Sequence, residues 1–90
     1  SVKDLTLEGP HVERELAMVK VVTKAKSQER AEILRVAEIF GAIVVDTTTR
    51  SFVFAMTGLP DKVGSFIGLM RELGKTEIAR SGVVAIARGA

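Results

Sequence analysis

An α+β sandwich, one antiparallel sheet with two helices on one face, is the fold this sequence predicts. Three observations carry the prediction. Ser51 to Thr57 (SFVFAMT) is apolar on both alternating sides, with Phe52, Phe54 and Met56 on one and Val53 and Ala55 on the other. Such near-continuous apolarity marks a strand covered from both sides and places it centrally in a sheet. Around it the segments run strand, helix, strand, strand, helix, strand, and 90 residues suffice for one domain.

In chain order, Ser1 to His11 has little periodicity and a Gly9-Pro10 break, so it reads as a linker or arm. Glu15 to Thr23 (ELAMVKVVT) is the first strand, with Leu16, Met18, Lys20 and Val22 on one face and Ala17, Val19 and Val21 on the other. Ser27 is placed to cap a helix, and Glu29 suits the positive end of its dipole. Ile33, Leu34, Ala37 and Phe40 recur at helical spacing, and Gly41 supplies the stop. Ala42 to Thr47 forms a short second strand, joined to the central one as a hairpin. Pro60 suits the first position of a second helix and Asp61 its first turn. Val63, Phe66, Ile67, Met70 and Leu73 form its stripe, and Gly74 ends it. Gly64 and Gly68 share one face of that helix, and close approach to the sheet or a partner is the expected reason. The last strand covers Ile78 to Ala79 and Val83 to Ala87, with Gly82 marking a bulge or bend.

This order is the split βαβ, or ferredoxin-like, arrangement. Right-handed crossovers place the first and third strands in the middle and both helices on one side. Two helices cover one face only, yet nearly every strand is apolar on both faces. An open apolar sheet of this size exceeds what monomers normally expose. A second copy, a companion domain or another subunit is therefore expected to cover it, with Phe52, Phe54 and Met56 as candidates for that sheet-face interface.

Composition excludes several functions. The absence of cysteine removes disulfides and thiolate metal sites. Basic and acidic residues number 13 and 11, and no run of like charge marks a nucleic-acid or membrane surface. No apolar stretch is long enough to span a bilayer, and no signal peptide is visible, so a cytoplasmic location is expected. The single histidine, His11, falls in the linker and reads as solvated rather than as a ligand. Neither G-x-x-x-x-G-K nor G-x-G-x-x-G occurs, and no titratable groups converge, so the chain reads as non-catalytic. RNA-recognition domains share this order of elements, and Arg50-Ser51-Phe52-Val53-Phe54 matches part of their third-strand motif. The match fails at the Gly-type positions and at Thr57, and the first strand has no stacking aromatic.

Four blocks carry a resemblance that covers almost the whole chain in the right order. VERELAMVKV (Val12 to Val21), RAEILRVAEIFGAIVVD (Arg30 to Asp46), TGLPDKV (Thr57 to Val63) and EIARSGVVAIARG (Glu77 to Gly89) closely resemble the C-terminal domain of the small, regulatory subunit of acetolactate synthase, in its bacterial version. Asp4 to Gly9 resembles the linker before it. The resemblance implies an ACT-like domain, with residues 1–14 a linker or arm from an N-terminal ACT domain and 15–90 the regulatory domain. It implies a homodimer that activates the catalytic subunit in valine, leucine and isoleucine biosynthesis. Feedback control by those amino acids would belong to the full-length subunit. Thiamine diphosphate, FAD and magnesium would belong to the catalytic subunit, with no cofactor on this chain. Partner contacts are expected at Glu13, Arg14 and Glu15, at the Arg80-Ser81-Gly82 bend and at Arg88. Two departures bear on those contacts. Phe40-Gly41-Ala42-Ile43 stands where the family often has arginines, and Leu59 stands where a polar cap often precedes the proline. A free-standing ACT-like sensor of amino acids is the alternative function.

Overall fold

In the computed structural model, which describes residues 9–90, the strand periodicity resolves into four strands and two helices. The elements are β1 (His11–Val22), α1 (Gln28–Phe40), β2 (Ile43–Thr47), β3 (Ser51–Gly58), α2 (Pro60–Leu73) and β4 (Lys75–Ala87). The sheet order is β2-β3-β1-β4, and every neighbouring pair is antiparallel. Each helix thus joins two parallel strands across one intervening strand, the ferredoxin-like arrangement.

The core lies between the sheet and the helices. Ala17, Val19 and Val21 from β1 and Phe52, Phe54 and Met56 from β3 meet Ile33, Val36 and Ala37 of α1. Val63, Phe66, Ile67 and Met70 of α2 complete the cluster. Phe66 joins the layers, its ring centroid 5.9 Å from Phe54 in an edge-on arrangement and 5.5 Å from Phe40. Such aromatic geometry adds to the area buried. At the margin the guanidinium of Arg30 lies 4.1 Å from the Phe52 ring centroid. Its Nη1 is buried with no hydrogen-bond partner among the described residues, so the electron-rich ring face is its compensation.

The helix ends follow from local chemistry. Gly41 adopts a left-handed conformation (φ 70°), and its N–H donates to the carbonyls of Ala37 and Glu38, closing α1. Ser27 precedes α1 in extended conformation, but its side chain makes no capping bond; its Oγ lies 3.4 Å from Thr23 Oγ1. At the end of α2, Gly74 is required by space rather than by φ. A Cβ there would lie 2.4 Å from the carbonyl oxygen of Val22. Gly64 and Gly68 behave oppositely, because a Cβ at either meets nothing within 4 Å. The expected close approach at these two glycines therefore does not occur against this chain's own sheet.

Two boundaries differ from the sequence reading. β1 begins at His11, four residues before Glu15, because Val12 to Glu15 pair with Val83 to Ile86 of β4. The final residues expected in the linker are thus part of the sheet; residues 1–8, including most of the linker-like Asp4 to Gly9 segment, lie outside the described residues. β4 begins at Lys75, three residues before Ile78, and runs on through the expected interruption. Its register slips between Glu15 and Ala17, where Ser81 and Gly82 stand opposite the single residue Leu16. Gly82 takes φ +81° in this bulge, as its position in the sequence suggested.

Candidate functional site

Alternation along the strands decides which side chains the helices leave uncovered. Paired residues of adjacent strands share a face, so the register defines the open side row by row. One row runs Ile43, Ala55, Met18, Ala79 and is apolar across all four strands. The next runs Asp46, Val53, Lys20, Glu77, with Lys20 Nζ 4.0 Å from Glu77 Oε2. Towards the other end Leu16 faces Thr57. Leu16 and Met18 are 45% and 44% exposed, and Ile43 is 66% exposed. Val53, Ala79, Met18 and their neighbours outline a shallow depression of about 220 Å³. The helix-free face thus has an oily centre and a sparse charged margin.

Phe52, Phe54 and Met56 are not on it. They are 3%, 0% and 2% exposed and lie under the helices, so the expectation that they form the sheet-face interface is corrected. The physical reason is volume: two helices standing above a sheet leave space that the larger β3 set fills. Val53, Ala55 and Thr57 face outward instead. A signal for this was present in β3 itself, since its polar residues Ser51 and Thr57 share the side of Val53 and Ala55.

The second group of expected contacts comes together around the bulge. Glu15 and Arg80, 65 positions apart, form a bidentate contact from Arg80 Nε and Nη2 to Glu15 Oε1 (3.1 and 2.5 Å). Glu15 is 5% exposed and therefore cannot serve as the partner contact expected of it. Its carboxyl pKa is lowered, first by the hydrogen bond from Arg80, with Arg80's charge and the Gly82 backbone acting in the same direction against desolvation. Arg80 in turn is committed to Glu15 and is only partly free for a partner. Ser81 holds the bulge, accepting from Leu16 N–H (2.9 Å) and donating to the Gly82 carbonyl (2.8 Å).

Beyond the bulge β1 and β4 continue as a two-stranded arm, which lengthens the molecule to 51 Å against 21 and 20 Å in the other directions. Arg88 N–H closes its tip on the Pro10 carbonyl (3.1 Å). Arg14 is exposed and donates to the Glu13 carbonyl (2.7 Å). Val12, Val84 and Ile86 project on the open-face side, 38%, 67% and 71% exposed, continuing the stripe of Leu16 and Met18. His11 belongs to this arm rather than to a linker. Its ring contacts the Gly9 carbonyl (3.3 Å) and Glu13 Oε2 (3.0 Å), and these two acceptors raise its pKa, the carbonyl foremost. Among the described residues no three His, Asp or Glu side chains are placed to share a metal ion, and no helix is long and apolar enough to cross a membrane.

Comparison with known proteins bears on this arrangement. Residues 14–89 match the family described as the small subunit of acetolactate synthase. The acetolactate synthase small subunit of Aquifex aeolicus is 46% identical over 87 residues, covering 97% of this chain and 44% of that protein. The probable small subunit of Archaeoglobus fulgidus is 46% identical over 89 residues, covering 99% and 55%. A crystal structure of the acetolactate synthase small subunit from Thermotoga maritima superposes with a TM-score of 0.77 at 36% identity, over 89% of this chain and 48% of that one. The chain spans about half the length of the curated relatives it matches. With the family match extending from Arg14 in the arm to Gly89 past the end of β4, this chain belongs to the acetolactate synthase small-subunit family.

Proposed function

We infer that this chain is a regulatory, non-catalytic domain of an acetolactate synthase, pairing with a second copy through its open sheet face and activating the catalytic subunit. The observation that carries the reading is the uncovered row Ile43, Ala55, Met18, Ala79 beside Leu16, an apolar surface with no role inside the chain. Burial of such surface is what drives association. The charged groups of the arm, Glu13, Arg14 and Arg88, are the contacts we assign to the catalytic subunit, because they stand clear of the sandwich, whereas the arm's apolar Val12, Val84 and Ile86 continue the open face.

On this reading the setting is the cytoplasm and the pathway is valine, leucine and isoleucine synthesis. Feedback inhibition resides in the full-length subunit, in an N-terminal ACT domain. Thiamine diphosphate, FAD and magnesium act on the catalytic subunit, and this chain contributes contacts and no reacting group. The test is reconstitution: copurification with the catalytic subunit and acetolactate formation at limiting subunit concentration. The expected result is a stable complex with a higher rate, lowered when Arg14 and Arg88 are both changed to Ser. A rate independent of this chain refutes the activating role. Calorimetric binding of valine, leucine or isoleucine to the chain alone would move the effector site onto this domain.

A further inference from the structure

At the end of the sheet opposite the arm, three cations from three separate elements converge on one cavity. Its lining is Val22, Thr23, Lys24, Ala25, Arg50 and Lys75, its volume is about 770 Å³, and it contains no acidic residue. The register explains the convergence. Val22 pairs with Lys75 on one side and with Ser51 on the other, so Arg50 and Lys75 flank the end of β1. The Thr23 N–H then donates to the Arg50 carbonyl (2.8 Å), tying the end of β1 to the β2–β3 turn, and the Ser27 N–H donates to the Lys24 carbonyl (3.3 Å). None of the three cations forms an ion pair among the described residues. Like charges held together by backbone geometry repel one another, and an anion placed between them removes that repulsion.

We propose that this cavity binds a phosphate-bearing small molecule, held by Arg50 with Lys24 and Lys75. The guanidinium fork matches two phosphate oxygens, and the lysines act as mobile point charges on the remaining oxygens. The volume lies in the range of small-molecule sites and exceeds what a lone phosphate fills. Val22 and Ala25 supply an apolar wall for the rest of the molecule. The site is on the opposite end of the sheet from the arm, at the edge of the open face, where Val22 pairs with Lys75.

Inorganic diphosphate is the probe. It is titrated into the chain at low ionic strength and followed by amide chemical shifts and calorimetry. Saturable shifts are expected at Val22 to Ala25, Arg50 and Lys75. Arg50→Gln and the double change Lys24→Gln/Lys75→Gln each weaken binding at least about tenfold, as loss of one charge-assisted contact implies. Lys62→Gln, in the first turn of α2, leaves binding unchanged. All four positions are exposed or at the margin, and an unaltered melting curve establishes that each variant is folded. Shifts that never saturate, shifts of equal size at Lys62 and Arg14, or cavity variants that bind like the parent would overturn the proposal. So would a glutamate peptide of equal charge binding more tightly than diphosphate, which would make the site a carboxylate dock.

Discussion

Removing Leu16 and Met18 together separates the assembly surface from the core. The open face is four strands wide, and eight residues of β1 lie opposite β3. At about 4.8 Å between strands and 3.3 Å per residue its footprint is about 500 Å². That falls at the upper end of the apolar patches monomers tolerate. The arm adds a narrow strip, bringing the two-copy interface to roughly 1,000–1,300 Å², where specific association begins. A modest dimer is therefore expected of this chain alone, sensitive to each large side chain on the face. Fully burying a Leu or Met side chain contributes about 1.5–3 kcal/mol. With nearly half of each side chain exposed, about 1 kcal/mol each is gained only on docking, and a symmetric pair contains four such side chains. Allowing for what alanine retains, Leu16→Ala/Met18→Ala should weaken dimerisation by about 2 kcal/mol or more, some thirtyfold. The same change costs the folded monomer about 1 kcal/mol per residue or less. Phe54→Ala is the reverse case, costing the fold about 3–5 kcal/mol from a total of about 5–13. Sedimentation across dilution and urea unfolding read the two effects separately. The reasoning fails if Leu16→Ala/Met18→Ala sediments as the parent does, or unfolds as early as Phe54→Ala.

Further tests bear on the glycines and the ion pairs. Gly64→Ala and Gly68→Ala, in open space within α2, should each stabilise by about 0.5–1 kcal/mol. Gly74→Ala must push on the Val22 carbonyl and should destabilise by about 1–3 kcal/mol; thermal melts of the three order them. Arg80→Ala strands the buried Glu15, so it should unfold at lower urea than the Arg80→Ala/Glu15→Gln double variant. Glu15 has a folded pKa below its unfolded one. Its contribution is therefore present above about pH 4.3 and fades as pH falls through the lower folded value. Glu15→Gln should flatten that part of the urea midpoint's pH profile. His11 is shifted upward, so its contribution is present below about pH 6.5 and declines as pH rises through the folded value. His11→Gln should remove that decline.

Period-two and helical spacing made the element order legible, and crossover handedness then fixed the sheet order. Four features resisted for identifiable reasons. β3 is apolar on both sides, so periodicity alone could not tell Phe52, Phe54 and Met56 from Val53 and Ala55 as the buried set. Comparing sizes, or following Ser51 and Thr57 of β3, would have separated them. The start of β1 was hidden because His11, Glu13 and Arg14 are polar, and a two-stranded arm with no buried face imposes no apolar alternation. The Glu15–Arg80 pair depends on β1–β4 register across 65 residues, and the bulge at Ser81 and Gly82 sets that register. Gly74 looked like an ordinary helix stop, and its close approach to Val22 exists only once α2 delivers the chain to β4.

The bulge explains how one pair of strands serves two environments. On the sandwich side of it, β1 and β4 lie under helices, and their inward side chains, Ala17, Val19, Val21 and Ile78, belong to or pack against the core. On the far side the same strands have no helix above them and keep only each other. An isolated two-stranded ribbon is marginal in water. Here it is anchored at its base by Glu15, Arg80 and Ser81, and closed at its tip by Arg88 on Pro10. Apolar side chains exposed on such an anchored ribbon, Val12, Val84 and Ile86, gain most from a partner that covers ribbon and sheet together. The register slip therefore does more than kink a strand: it holds the arm in line with the open face, so that one docking event can bury both.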